Sequence, residues 1–445
     1  MTGSERMMHQ LGVVELRQGF SDGRIDLREY VQAMMSYCTA IDPEVDAFAH
    51  YDLETISIQL DRLIEFKHLG DPLPALYGVP IGIKDNIDTE DYPTELGLDL
   101  AKGRTPSQDA FLVHRLRQAG ALVWAKTRTT ALATRQPTTT KNPAVPGHSP
   151  GGSSSGSAAA VACGMVPASI GTQTVGSVIR PAAFCGVFAY KPTRGLISNE
   201  GVLANAPSVD QVGVFARNVV DLAAVAEAMI ASPSRASNLV FPRRLYEVCV
   251  KAPPLQPRLM FARTPFWDLM EDRAKVAYES LLLSACAFMT ELDLPKQVKH
   301  VAKWHQDLVD AEQAYHQAEW IHQLDPSEFS LIHAMAERGN QIKASEYLAC
   351  LARLRQAESS FDEYFDRFDA IVIPSALGPA PAGLESTGDP IMSTLGTFCG
   401  LPCMNLPLLQ TEEGQPLGLQ LIGAPRQDAK LLRTANWLCQ ALESL

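Results

Sequence analysis

Residues 147–195, GHSPGGSSSGSAAAVACGMVPASIGTQTVGSVIRPAAFCGVFAYKPTRG, gather serine hydroxyls in Gly-rich surroundings where acyl-transfer chemistry could be built. On composition alone PGGSSSGS reads as a flexible linker. The residues after it argue otherwise, because SAAAVACG reads as a compact small-residue helix and MVPASIG as a strand. A Gly/Ser turn squeezed between such elements implies close backbone approach, so it is expected to be a tight functional loop. A serine becomes a nucleophile only when a base takes its proton during attack. The usual base is histidine, but His148 lies merely near the first turn and His114 on a predicted helix. GSSSG (152–156) fits the Gly-x-Ser-x-Gly expression with Ser154 at its centre, yet the strand–elbow–helix context is wrong, and the match reads as a coincidence. Lys84 lies on the apolar segment VPIGIKDNI, a reasonable place for burial to lower a lysine pKa. Each residue also has a bland reading when taken singly. Lys84 is then a solvated strand-end lysine, Ser177 a helix N-cap before VIRPAAF, and Ser153 a loop serine.

The elements that would position these groups are legible in part. Within about 26–66, Leu27, Tyr30, Val31, Met34, Met35 and Cys38 recur at helical spacing, and the following helix is expected to stop at Gly70. From about Leu73 the texture becomes strand, helix, strand: VPIGIKDNI, then SQDAFLVHRLRQAG closed by Gly120, then ALVWAKT. Such alternation predicts an α/β fold. Further strands are expected at FDAIVIPS and LGLQLIGAP, and a final amphipathic helix at DAKLLRTANWLCQALESL. The expected architecture is a mixed, largely parallel β-sheet core covered by α-helices. It divides into an N-terminal helical segment (1–70) packed on one large catalytic domain (71–445), with a variable, mainly helical excursion at about 220–358.

The sequence also resembles the amidase signature family. The resemblance rests on Gly151–Gly152–Ser153–Ser154, on Gly171–Thr172–Gln173–Thr174–Val175–Gly176–Ser177, on Cys185–Gly186 and on Lys191–Pro192–Thr193. GVPIGIKDNID upstream, and SVDQVGVFARNVVD, FDAIVIPSALGPAP and PLGLQLIGAPRQDAKLL downstream, resemble family segments in order, over roughly residues 25–440. The resemblance implies an amidase with a Ser–cis-Ser–Lys triad: Ser177 as nucleophile, Ser153 as the bridging serine and Lys84 as the base. It also implies an oxyanion hole from the backbone N–H groups of Thr174, Val175, Gly176 and Ser177, and Gly152, Ser154 and Arg180 are candidates to lie against the substrate. No metal or organic cofactor is implied. The chemistry needs such a set, since a lysine of ordinary pKa, near 10.4, is protonated at neutral pH and cannot accept the serine proton.

Three departures from the family pattern stand out. Gln173 replaces the usual Asp. Val175 replaces the usual Gly, so the turn must keep an ordinary backbone there or accept strain, and the pocket is narrowed. Arg180 comes three residues after the nucleophile, where the family usually places an arginine at two. Its guanidinium is a candidate receptor for a substrate carboxylate. The structural alternative is an ion pair with a buried acid such as Asp85.

Composition excludes several other classes. With 46% hydrophobic and 20% charged residues the chain is an ordinary globular one, and no apolar run is long enough for a membrane span. The formal charge of −12, with no local basic cluster, disfavours nucleic-acid binding. Nine cysteines without a Cys-x-x-Cys pair suggest no disulfide framework, and Cys399 and Cys403 are expected to be small buried residues and not metal ligands. The N-terminus has no signal-peptide pattern, so a reducing cytoplasm is expected. The partner expected is a small-molecule amide; a homodimer is among the expectations. Alternatives to a general amidase are the glutaminase-like A subunit of a transfer-RNA-dependent amidotransferase, a urea-, biuret- or allophanate-type hydrolase, and an inactive binding protein on the same fold. Specificity is expected in the segments around 125–147 and 300–400.

Overall fold

Short runs of Val, Ile, Leu and Ala make strands when both faces of the sheet are covered, because no polar side is then needed. The computed structural model, which describes residues 8–69, 72–230 and 244–443, follows that rule. The strands are β1 (Phe48–His50), β2 (Pro80–Lys84), β3 (Leu122–Thr127), β4 (Ala168–Gln173), β5 (Phe188–Lys191), β6 (Gln211–Ala216), β7 (Leu259–Phe261), β8 (Met289–Glu291), β9 (Ala370–Pro374), β10 (Cys403–Gln410) and β11 (Pro416–Ile422). Every residue of β2, β3, β4, β6 and β9 is buried. They form one sheet in the order β1-β3-β2-β4-β6-β5-β10-β11-β9-β7-β8. Pairing is parallel within β3-β2-β4 and within β9-β7-β8. Antiparallel pairs from β4 through β6, β5, β10 and β11 to β9 join these two flanks. The sheet is mixed, as expected, and its parallel character belongs to the flanks.

Alternation along a strand divides the core in two. Ala370 and Val372 of β9 face one apolar cluster, while Ile371 and Ile373 face the other. The first cluster also takes the N-terminal helices. The helix Leu27–Val45 starts at Asp26, whose side chain accepts the Glu29 N–H, and buries Leu27, Tyr30, Val31, Met34 and Cys38. It is not continuous with the helix that comes next. Asp46 adopts a left-handed conformation, β1 adds to the edge of β3, and a separate helix runs from Leu53 to His68. Gly70, the expected cap, lies outside the described residues, as do 1–7, 231–243 within the expected helical excursion, and 444–445.

The stretch 245–357 is more than a helical wall, because β7 and β8 within it extend the sheet. Its long helices are Val301–His316, Ser330–Gln341 and Ala344–Ala357. The 330–341 helix packs closely on the 301–316 helix at Gly339, where a Cβ would collide with the Asp310 carbonyl. Among the described residues no helix is long and apolar enough to cross a membrane.

Candidate active site

Lys84 ends β2 and is wholly buried. Its Nζ lies 2.8 Å from Ser153 Oγ and 2.8 Å from Thr172 Oγ1, and Asn86 Nδ2 donates to the same threonine oxygen at 3.0 Å. Burial lowers its pKa well below the ordinary lysine value, and the charge of Asp210 opposes that only in part. A neutral amine in this place has a lone pair to offer Ser153 and hydrogens for Thr172.

Ser153 follows a cis peptide bond from Gly152. Its carbonyl accepts the Thr130 N–H at 3.1 Å, and the buried helix Ser155–Ala162 begins just after it. Ser154, expected against substrate, turns its hydroxyl to the backbone of Thr172 instead, donating to the carbonyl at 3.3 Å. The Gly152 carbonyl is taken by Arg180 Nη2 at 2.6 Å.

The turn 174–178 leads from β4 into the short helix Ile179–Phe184 and carries Ser177, which is half-buried. Ser177 Oγ makes no hydrogen bond among the described residues, so the closed half of the expected relay is Ser153–Lys84. The N–H groups of Val175, Gly176 and Ser177 likewise have no protein acceptor among the described residues. Val175 is absent from the positive-φ residues; the turn keeps an ordinary backbone at that β-branched position. Gly176 is required for a different reason: a Cβ there would approach Pro390 Cβ to 2.9 Å.

Behind the turn stand groups for which the sequence offered no signal of role. Thr174 Oγ1 donates to Asp210 at 2.6 Å, and Asp210 also accepts the N–H groups of Asn205 and Ala206, both at 2.9 Å. Burial pushes the Asp210 carboxyl up to about 6. The Thr174 carbonyl lies 2.9 Å from His305 Nε2, which must therefore carry the hydrogen; burial pushes this imidazole down to about 4 and keeps it neutral. His148 and His114, the histidines weighed from sequence, do not line the cleft.

Arg180 corrects an expectation. Its structural alternative was an ion pair with Asp85, but Asp85 faces Lys126 at 3.3 Å in a buried pair of its own. Arg180 is buried as well, and among the described residues its hydrogen-bond partners are the Gly152 carbonyl and, at 3.4 Å, Thr387 Oγ1. Its Nε and Nη1 have none. Burial and the nearby charge of Arg135 bring its pKa down to about 9, against the opposing charge of Asp389.

Thr174, Val175, Gly176, Ser177 and Arg180 all line one cleft of about 440 Å³, its open mouth included. Lys84 and Ser153 lie outside its lining. The opposite wall comes from Ala133–Arg135, from Gln306, Val309 and Gln313 on the 301–316 helix, and from Met335 on the 330–341 helix. These fall in segments that carried no motif. The arrangement offers a hydroxyl at the cleft wall, N–H donors beside it, a buried amine bonded to a second hydroxyl, and a guanidinium that makes no ion pair among the described residues.

Residues 29–432 match the sequence profile of the Amidase family. The A subunit of the Glutamyl-tRNA(Gln) amidotransferase from Chloroflexus aggregans is 30% identical over 469 residues, covering 96% of each chain. Its counterpart from a Synechococcus species is 29% identical over 478 residues, again 96% of each. Among solved structures, a protein of a vestigial complex that reveals the origins of an s-triazine catabolic enzyme superposes with TM-score 0.88, at 24% identity over 97% of this chain and 98% of the other. The peptide amidase of Stenotrophomonas maltophilia gives TM-score 0.82 at 23% identity, over 97% of both chains. At these identities the two structures speak to the fold.

Proposed function

The chain belongs to the Amidase family of hydrolases, and on that premise we propose that it cleaves carboxylic amides through a Ser177 acyl-enzyme. Ser177 Oγ attacks the amide carbonyl while its proton passes through Ser153 Oγ to Lys84 Nζ. The oxygen that gains charge is met by the N–H groups of Val175, Gly176 and Ser177. Collapse breaks the C–N bond, and the relayed proton returns to the leaving amine. Water then repeats the sequence on the acyl ester, which releases the acid and restores the serine. The observation that carries this reading is the buried, 2.8 Å contact of Lys84 with Ser153, with no carboxylate at ion-pair distance among the described residues.

The substrate we favour is a small amide bearing a carboxylate. A buried guanidinium with two unpartnered nitrogens is costly unless an anion reaches it, and Arg180 lines the same cleft as Ser177. The test is reaction of the purified protein with a fluorophosphonate probe, followed by peptide mapping. One adduct on Ser177, lost in Lys84→Ala, supports the reading; a folded protein that takes no label sinks it.

The full-length likeness to amidotransferase A subunits favours a second reading, in which the same site releases ammonia from glutamine or asparagine for a partner protein. Glutaminase activity that appears only on adding such a partner would separate the two.

A further inference from the structure

Gln173 has every polar atom committed, and its bonds bracket Ser177. It is the last residue of β4 and is wholly buried. Its Oε1 accepts the N–H of Val178 at 2.7 Å and that of Ile179 at 3.0 Å. Its Nε2 donates to Thr397 Oγ1 at 2.8 Å. Two backbone donors on one atom fix which end of the amide is oxygen. Thr397, having accepted that bond, has one hydrogen to give, and it faces the carbonyls of Val175 at 2.8 Å and Ser393 at 3.0 Å. The residue just after Ser177 is thus held directly by Gln173. The residue two before it is held through Thr397.

We propose that Gln173 is a positioning residue for the reaction, which with Thr397 sets Ser177 and the N–H groups around it in the geometry of attack. This rests on the reading of Ser177 as nucleophile. In this chain the role is filled by an acceptor and a donor on one uncharged side chain, where the family's usual Asp, when ionised, can only accept. Ionised carboxylate at this position would still accept both N–H groups. It would have no hydrogen for Thr397, and it would bury a charge. Gln173→Glu therefore carries its own control. Protonated glutamic acid has one carbonyl acceptor and one O–H donor, enough for the bonds the amide makes here, and burial favours that protonated form.

The experiment measures kcat, KM and the rate of Ser177 labelling by a fluorophosphonate for wild type, Gln173→Glu and Thr397→Val across pH, with thermal melting as a check on folding. At alkaline pH, Gln173→Glu should label and turn over about 100-fold more slowly, as expected when reacting groups are misplaced by about 1 Å. Its rate relative to wild type should then recover by about tenfold or more as pH falls and the carboxyl protonates. A side chain needed only for folding would shift the melting curve without such a recovery in the ratio. Thr397→Val, which keeps the shape and removes the hydroxyl, should lower kcat about tenfold while KM stays nearly constant. The proposal is overturned if the Gln173→Glu ratio is flat across pH, or if Thr397→Val labels at the wild-type rate. If Gln173→Glu fails to fold, Thr397→Val alone decides. A wild-type protein that is never labelled removes the nucleophile reading and this one with it. A labelled wild type with a flat ratio removes only the part assigned to Gln173.

Discussion

Lys84 Nζ lies 2.8 Å from Ser153 Oγ at the end of a strand whose every residue is buried. Among the described residues no carboxylate comes within ion-pair distance of it, and its nearest named charge, Asp210, is spent on Thr174 and two backbone N–H groups. A lysine is expensive to bury in this way. On the proposed mechanism its position follows from chemistry and not from stability.

Replacing it should separate the two. Lys84→Met is expected to lower kcat about 10³-fold or more, since the relay loses its base. The same variant should melt at an equal or higher temperature, because an apolar side chain suits the site better. Activity assays beside thermal melting check this; near-normal kcat in Lys84→Met would remove lysine from the mechanism.

The pH profile has a definite sign. Lys84 must be neutral to act, so kcat/KM should fall about tenfold per pH unit below its lowered pKa. The stability effect follows from the same depression. Between the folded pKa and the free-lysine value the unfolded chain holds a proton that the folded chain lacks. The Lys84 contribution to stability therefore rises with pH across that window. Melting curves of wild type and Lys84→Met over pH should converge at the alkaline end.

Arg180 predicts selectivity. Arg180→Leu should lower kcat/KM by about 10²-fold or more for amides that carry a carboxylate, and by much less for neutral analogues. Matched substrate pairs provide the measurement. Equal losses on both would assign the arginine to holding the Gly152 carbonyl.

Asp210→Ala strips the acceptor from the Thr174 hydroxyl and from two backbone N–H groups in a dry region. Each orphaned donor should cost about 1–3 kcal/mol. The loosened turn should reduce kcat about 10²-fold, as loss of an oxyanion donor does. Labelling of Ser177 at the wild-type rate in this variant would show that Thr174 is held without it.

Sequence went furthest where chemistry and local pattern coincide. The strand around Lys84 and the two Gly/Ser turns stand where the motifs place them, because short-range geometry there is dictated by glycines and apolar neighbours. Thr172 was within the quoted motif, yet its link to Lys84 needed strands β2 and β4 side by side. Asp210 lay in a quoted segment but with no role read from it, and His305 and Thr397 could not be found that way: they reach the turn from distant segments, and nothing local marks a buried histidine as the partner of one carbonyl. The alternative offered for Arg180, an ion pair with a buried acid such as Asp85, does not form with that residue, since Lys126 from the adjacent strand β3 pairs with Asp85. The cleft wall from the 301–316 and 330–341 helices lies within the 300–400 segment where specificity was expected, but no residue of it could be named, because these are ordinary helix formers whose role is set by where the helices cross.

The place of β10 between β5 and β11 has a consequence for synthesis. β5 leaves the ribosome about 200 residues before the strand that covers its open edge, an interval of about 10–40 s at ordinary translation rates. During that time Ala189 and Tyr190 present unpaired backbone to any other chain. Fragments that stop short of residue 403 should therefore aggregate, and slower translation at low temperature, or a holding chaperone, should raise the yield of intact protein.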